Sequence, residues 1–156
     1  MPGGKWHVAI GFTCCIIAQV AISVLKGLAG WFFLFIPAGA ILALGPDVDE
    51  KWHIFAGHRN GIIFHSPLIP GYVGGIILAA YFIVPPVGPS AAFWCNLGLE
   101  FGALWCIAHG SHVLADLSST AKNCDVKPEI LPGRPWLTFS GVLLWALAGL
   151  LLNFVV

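Results

Sequence analysis

Residues Ala91–Ala115 read AAFWCNLGLEFGALWCIAHGSHVLA, 25 residues that carry a single formally charged side chain, Glu100. A helix rises 1.5 Å per residue, so about 20 apolar residues cross the roughly 30 Å hydrocarbon core of a bilayer. This run is long enough to do so. Cutting the rest of the chain at its charges and its Pro and Gly clusters leaves four more apolar runs, at about 7–25, 27–45, 67–84 and 135–156. The pattern predicts an all-α fold: a polytopic integral membrane bundle of about five transmembrane helices, forming one membrane domain over residues 1–156. The first two spans are expected to join through a tight turn at Lys26. The third and fourth are separated by Pro85-Pro86-Val87-Gly88-Pro89-Ser90, whose prolines lack the backbone donor that a continuing helix needs.

Composition points the same way. The 156 residues are 58% apolar and 9% charged, with a mean hydropathy of +0.90, whereas soluble domains are about 45–50% apolar and about 25% charged. Too little polar surface exists to coat a water-soluble particle. Seven Lys and Arg balance seven Asp and Glu, which removes the basic field that nucleic-acid binding requires, so no nucleic-acid partner is expected. Seven Trp and eleven Phe are the reverse of a disordered composition. The five cysteines, Cys14, Cys15, Cys95, Cys106 and Cys124, form no C-x-x-C pair, and four lie in apolar runs; they read as packing residues. Met1–Lys5 is followed by an apolar run without a small-residue cleavage site, so the first segment is expected to stay in the membrane. Trp31, Trp94, Trp105, Trp136 and Trp145, in or beside the spans, suit the membrane–water interface.

Two polar segments remain, 46–66 and about 116–134. Five crossings put both of them, with the amino terminus, on one face. That face carries Lys5, Lys51, Arg59, Lys122, Lys127 and Arg134, and the other carries Lys26 alone. The positive-inside rule then places the first face in the cytoplasm, and the expected location is a bacterial inner membrane with a cytoplasmic amino terminus.

The same topology gathers the residues capable of chemistry. His7, Asp47, Asp49, His53, His58, His65, His109, His112 and Asp116 all fall on, or at span ends touching, the cytoplasmic face. Imidazole nitrogens and carboxylate oxygens are the donors taken by Zn²⁺ and similar divalent cations, and a mixed set suits a hydrolytic site with an open water position. Gly45-Pro46-Asp47-Val48-Asp49 presents two carboxylates at the end of the second span, although turns favour Asp for their own sake. His58-Arg59 and Phe64-His65-Ser66 bring two imidazoles and a guanidinium together before the third, and the planar fork of Arg59 fits a phosphate or carboxylate. Taken singly, Arg59 also reads as a headgroup contact and His65 as an interfacial cap. His53 lacks a partner at helical spacing and reads as a surface residue.

On the fourth span His112 and Asp116 are separated by four residues, about 40° apart around a helix axis, and can point at one ion. Asp116 can instead orient the imidazole from behind, or the two can form a hydrogen-bonded pair that stitches helices. His109 lies about 60° from His112 and can join or support them. Glu100 faces nearly away from His109 and Asp116, lies toward the far membrane face, and is not expected to be a ligand.

In order and membrane context these motifs resemble the YdjM-like, LexA-regulated membrane metal-dependent hydrolases. The matching residues are His7-Val8-Ala9-Ile10-Gly11, Gly45-Pro46-Asp47-Val48-Asp49, His58-Arg59 with His65-Ser66, and Ser111-His112 with Asp116, over roughly the first three quarters of the chain. The spacing from His58 to His65 is longer here than in that family, and Phe64 stands where it usually has Thr. The family is similar in turn to zinc-dependent phospholipases C and related nucleases, which use His-x-x-x-Asp ligands. The resemblance implies phosphoester or lipid chemistry.

The expected function is therefore an integral membrane metal-dependent hydrolase. Its metal ligands are His7, Asp47, Asp49, His58, His65, His112 and Asp116, and its cofactor is a divalent metal, Zn²⁺ or else Mn²⁺. Such a metal lowers the pKa of bound water toward about 7. Asp49 is expected to take the proton and Arg59 to steady the anionic leaving group, so these two are the candidate catalytic residues. The expected partners are the lipid bilayer, a lipid or phosphoester substrate and other membrane proteins. The rival reading is a non-enzymatic subunit or anchor of a larger complex. A metal or proton carrier is a weaker third, because only Gln19 and Glu100 approach the midplane and they mark no pathway.

Overall fold

A computed structural model describes residues 4–26, 35–43, 67–84, 87–119 and 134–155. Among them the chain is helical, with no strand. The helices are α1 (Gly4–Lys26), α2 (Phe35–Leu42), α3 (Leu68–Ile83), α4 (Pro89–Ser119) and α5 (Arg134–Asn153). Three stretches are long and apolar enough to cross a membrane, Val8–Lys26, Pro89–Leu117 and Pro135–Asn153, and Leu68–Ile83 is a shorter apolar helix.

Local chemistry sets several of these limits. Pro85 and Pro86 bar α3 from continuing and disfavour helical backbone at Val84, and α3 ends at Ile83. Gly88 then turns the chain in the left-handed region, at φ 89°, where a side chain is strained. Pro89 opens α4, a position where its missing N–H has no helical acceptor to lose. At its other end α4 runs on to Ser119. Asp116 therefore lies inside the helix rather than at the start of a loop, because nothing in Asp116-Leu117-Ser118-Ser119 breaks one.

The contacts fix an alternating up-and-down bundle around α4. Cys15 Sγ donates to Leu104 O at 3.8 Å and Gln19 lies against Glu100, a pairing order that makes α1 antiparallel to α4. Gly11 packs on Ala43 and Gly39 on Cys15, so α1 and α2 are antiparallel as well. Cys106 Sγ reaches Pro70 O at 3.8 Å, while Gly98 and Gly102 meet Ile77, which orients α3 against α4. Gly110 beside Leu144 and Trp145, and Gly102 beside Leu151, do the same for α5. At one end of the bundle Lys26 Nζ approaches Asn153 O at 3.5 Å, and Tyr81, Phe82 and Phe154 form an aromatic cluster. The other end collects the start of α1, the end of α2, the start of α3, the end of α4 and the start of α5. Both flanks of residues 44–66 and both flanks of 120–133 therefore sit at that second end.

Polarity is arranged inside out. Gln19, Glu100, His112 and Ser140 are fully buried and His109, Ser111 and Asp116 nearly so, whereas Leu25 is 81% and Val87 84% exposed. The apolar core lies where α4 meets α1, α2 and α5, with Leu99, Ala103, Leu104, Ile107, Leu144 and Leu151. Cys15 and Cys106 are buried free thiols that pack against neighbouring backbone, and Cys14 and Cys95 are half-buried.

Candidate functional site: a histidine and an aspartate at one end of the bundle

The site is built on the last turns of α4. His112 and Asp116 are four residues apart, so one helical face carries both, and they are 0% and 1% exposed. His112 Nε2 lies 3.3 Å from Asp116 Oδ2. On the other side of the ring, His112 Nδ1 lies 2.6 Å from Ala43 O. A carbonyl oxygen only accepts, so Nδ1 carries the proton and donates it.

That contact follows from helix chemistry. The last carbonyls of a helix have no donor within it. Just past the end of α2 the N–H of Ala43 still closes a helical bond to Gly39 O at 2.9 Å, which leaves Ala43 O to find a partner elsewhere. The partner is His112. The negative end of the α2 dipole thus lies against the imidazole and favours positive charge there.

With Nδ1 protonated, a neutral His112 presents the lone pair of Nε2 on the side where Asp116 presents its carboxylate. Two electron-pair donors at 3.3 Å repel unless a cation lies between them. It is either a proton, making an imidazolium–carboxylate pair, or a metal ion. Two ligands about 2.0–2.1 Å from Zn²⁺ at a tetrahedral angle stand about 3.3–3.4 Å apart, so the spacing fits two positions of such a site. The donor types fit as well.

His109 is buried on the same helix, and Ser111 Oγ is occupied within the helix by Ile107 O at 2.6 Å. Among the described residues no group of three or more His, Cys, Asp or Glu gathers as a metal site. Asp47, Asp49, His53, His58, Arg59 and His65 lie outside the described residues. His7 falls on α1, and its side chain is likewise outside them. Of the expected ligands, the structure brings together His112 and Asp116.

Three contributors were not singled out from the sequence. Ala43 acts through its backbone, which no residue type announces. Gly11 and Gly39 let α1 and α2 approach closely enough to deliver that carbonyl, and Gly11-x-x-x-Cys15 and Gly39-x-x-x-Ala43 are the small-residue spacings that signal such packing in apolar helices. A comparison with known protein families, curated proteins and solved structures finds no match for this chain.

Proposed function

We propose that this chain is an integral membrane protein of the bacterial inner membrane, with the amino-terminal end of α1 in the cytoplasm and a divalent-metal hydrolase site at the cytoplasmic end of the bundle. What carries the metal reading is the geometry at His112: one ring nitrogen committed to Ala43 O at 2.6 Å and the other 3.3 Å from Asp116 Oδ2. The inside-out polarity supports the membrane assignment, since polar groups are costly in lipid and are turned inward. The motif order shared with the YdjM-like hydrolases supports the choice of reaction.

In this proposal His112 and Asp116 supply two ligands, and the rest come from His7, Asp47, Asp49, His58 and His65. A Zn²⁺ or Mn²⁺ ion bound there supplies Lewis-acid activation of water. Asp49 accepts the proton, and Arg59 holds an anionic oxygen of the substrate through its planar fork. The Ala43 carbonyl fixes the ring tautomer of His112 and thereby keeps Nε2 directed at the ion. The substrate class is an amphiphilic phosphoester or lipid, whose headgroup reaches the end of the bundle while its apolar part stays in the leaflet.

Two experiments test this. Purified full-length protein, supplied with Zn²⁺ or Mn²⁺, is expected to hydrolyse a short-chain phospholipid or a simple phosphodiester, and to stop when the ion is chelated. No metal-dependent turnover across both substrate types would leave the anchor reading in its place. Reporter fusions before α1 and after Asn153 are expected to report cytoplasm and exterior respectively, on the six-to-one Lys and Arg asymmetry. Both ends on one side would rule out an odd number of crossings.

A further inference from the structure

A second buried polar site lies about 18 Å along α4 from His112, twelve residues at 1.5 Å each. One helical turn beyond the Cys15–Leu104 contact, Gln19 of α1 faces Glu100 of α4. Both residues are 0% exposed. The Gln19 amide lies against the Glu100 carboxyl, yet among the described residues no hydrogen bond of good geometry reaches Gln19 Oε1 and Nε2 or Glu100 Oε1 and Oε2. Ser23 Oγ, one turn further along the same face of α1, is also buried without one. A buried carboxyl of this kind is costly unless something completes it.

The surroundings say what completes it. Among the described side chains, the titratable groups on the elements packed against α4 are Cys14, Cys15 and Lys26 on α1 and Tyr72 and Tyr81 on α3, and α2 and α5 have none; Lys5 and His7 begin α1 at the end of the bundle away from Glu100. Lys26 is seven residues beyond Gln19 and engages Asn153 O at the bundle end. Arg134 begins α5 at the opposite end. On α4 itself Cys95, Cys106, His109, His112 and Asp116 lie more than one turn from Glu100. Among the described side chains no cation faces the carboxyl. The oxygens of Glu100, Gln19 and Ser23 are the donors of a hard cation. A divalent ion would leave net positive charge in an apolar interior, whereas one monovalent cation cancels the carboxylate.

We propose that Glu100 and Gln19 form a binding site for one monovalent cation between α1 and α4, a proton or an alkali ion. It is independent of the metal reading at His112, and its test involves neither turnover nor divalent metal.

The test is the thermal stability of purified full-length protein in detergent. NaCl is exchanged for choline chloride at constant ionic strength, and pH is varied separately. Ligand binding to the folded state raises Tm by mass action. A Tm that rises with sodium at fixed pH identifies an alkali ion; one that rises on acidification without a sodium effect identifies a proton. In either case Glu100→Gln, which keeps shape and removes the charge, must abolish that dependence. Gln19→Leu must shift the half-saturating concentration of the same ion about threefold to tenfold, the worth of one such interaction. A wild-type Tm indifferent to both ions overturns the proposal. So does a dependence that survives in Glu100→Gln, or a midpoint unmoved in Gln19→Leu. Should Glu100→Gln fail to fold, the wild-type and Gln19→Leu titrations still decide the matter.

Discussion

Asp116→Ala is expected to lower divalent-metal affinity by more than about a hundredfold, beyond the 10–100-fold that follows loss of a group that merely orients a ligand. Asp116 Oδ2 stands 3.3 Å from His112 Nε2, and in the proposed site removing it would take away both a ligand and the negative charge that offsets the ion. On the proposed function, turnover is expected to fall with the metal. The helical bundle survives, because most of its stability comes from apolar packing around Leu99, Leu104, Ile107, Leu144 and Leu151. Isothermal titration with Zn²⁺ or Mn²⁺, with circular dichroism as the check on folding, measures both parts. Asp116→Asn keeps the volume and removes the charge, so a similar loss there assigns the effect to coordination. Wild-type affinity in both variants would make Asp116 a structural partner of His112.

Gly39→Leu is the second large effect, and it acts at a distance. A Cβ at Gly39 would meet Cys15 Sγ at 2.5 Å and Cys15 Cβ at 3.2 Å, before the rest of the leucine is added. Overpacking of this kind costs about 1–3 kcal/mol, and here the relief is to push α2 off α1. The Ala43 carbonyl is on the helix that moves, so the 2.6 Å contact to His112 Nδ1 opens. Metal affinity is then expected to fall about tenfold, as when an orienting partner is lost, together with a lower melting temperature. Gly75→Leu is the control, since a Cβ there meets nothing within 4 Å. A variant at Gly39 that melts early but binds metal normally would separate helix packing from the site.

These two positions also mark how far the sequence can be read. The helical character of α1, α4 and α5 follows from uncharged length alone, and α4 shows it most clearly. The pairing of His112 with Asp116 follows from their spacing, because a helix turns any i, i+4 pair onto one face. What the residue types do not disclose is which helices meet. Ala43 reaches His112 only because Gly11 and Gly39 shorten the distance between α1 and α2, and Gln19 meets Glu100 only in the antiparallel register set at Cys15 and Leu104. Glu100 illustrates the difference. The helical wheel turns it nearly away from His109 and Asp116, but the wheel carries no information about α1 on the far side. Asp116 gives the opposite lesson: placed at a loop start from the end of the apolar run, it lies within α4, since helix propensity rather than hydropathy decides where a helix stops.

The most direct test is the metal content of the purified full-length protein. After equilibration with Zn²⁺ or Mn²⁺ and removal of free ion, elemental analysis is expected to find at least one ion per chain, and X-ray absorption is expected to show a nitrogen and oxygen shell with a position left for water. His112→Ala and Asp116→Ala should each lose that ion. Absence of bound cation in the intact protein would contradict the metal site and leave His112 and Asp116 as an imidazolium–carboxylate pair that holds α4 to the end of α2.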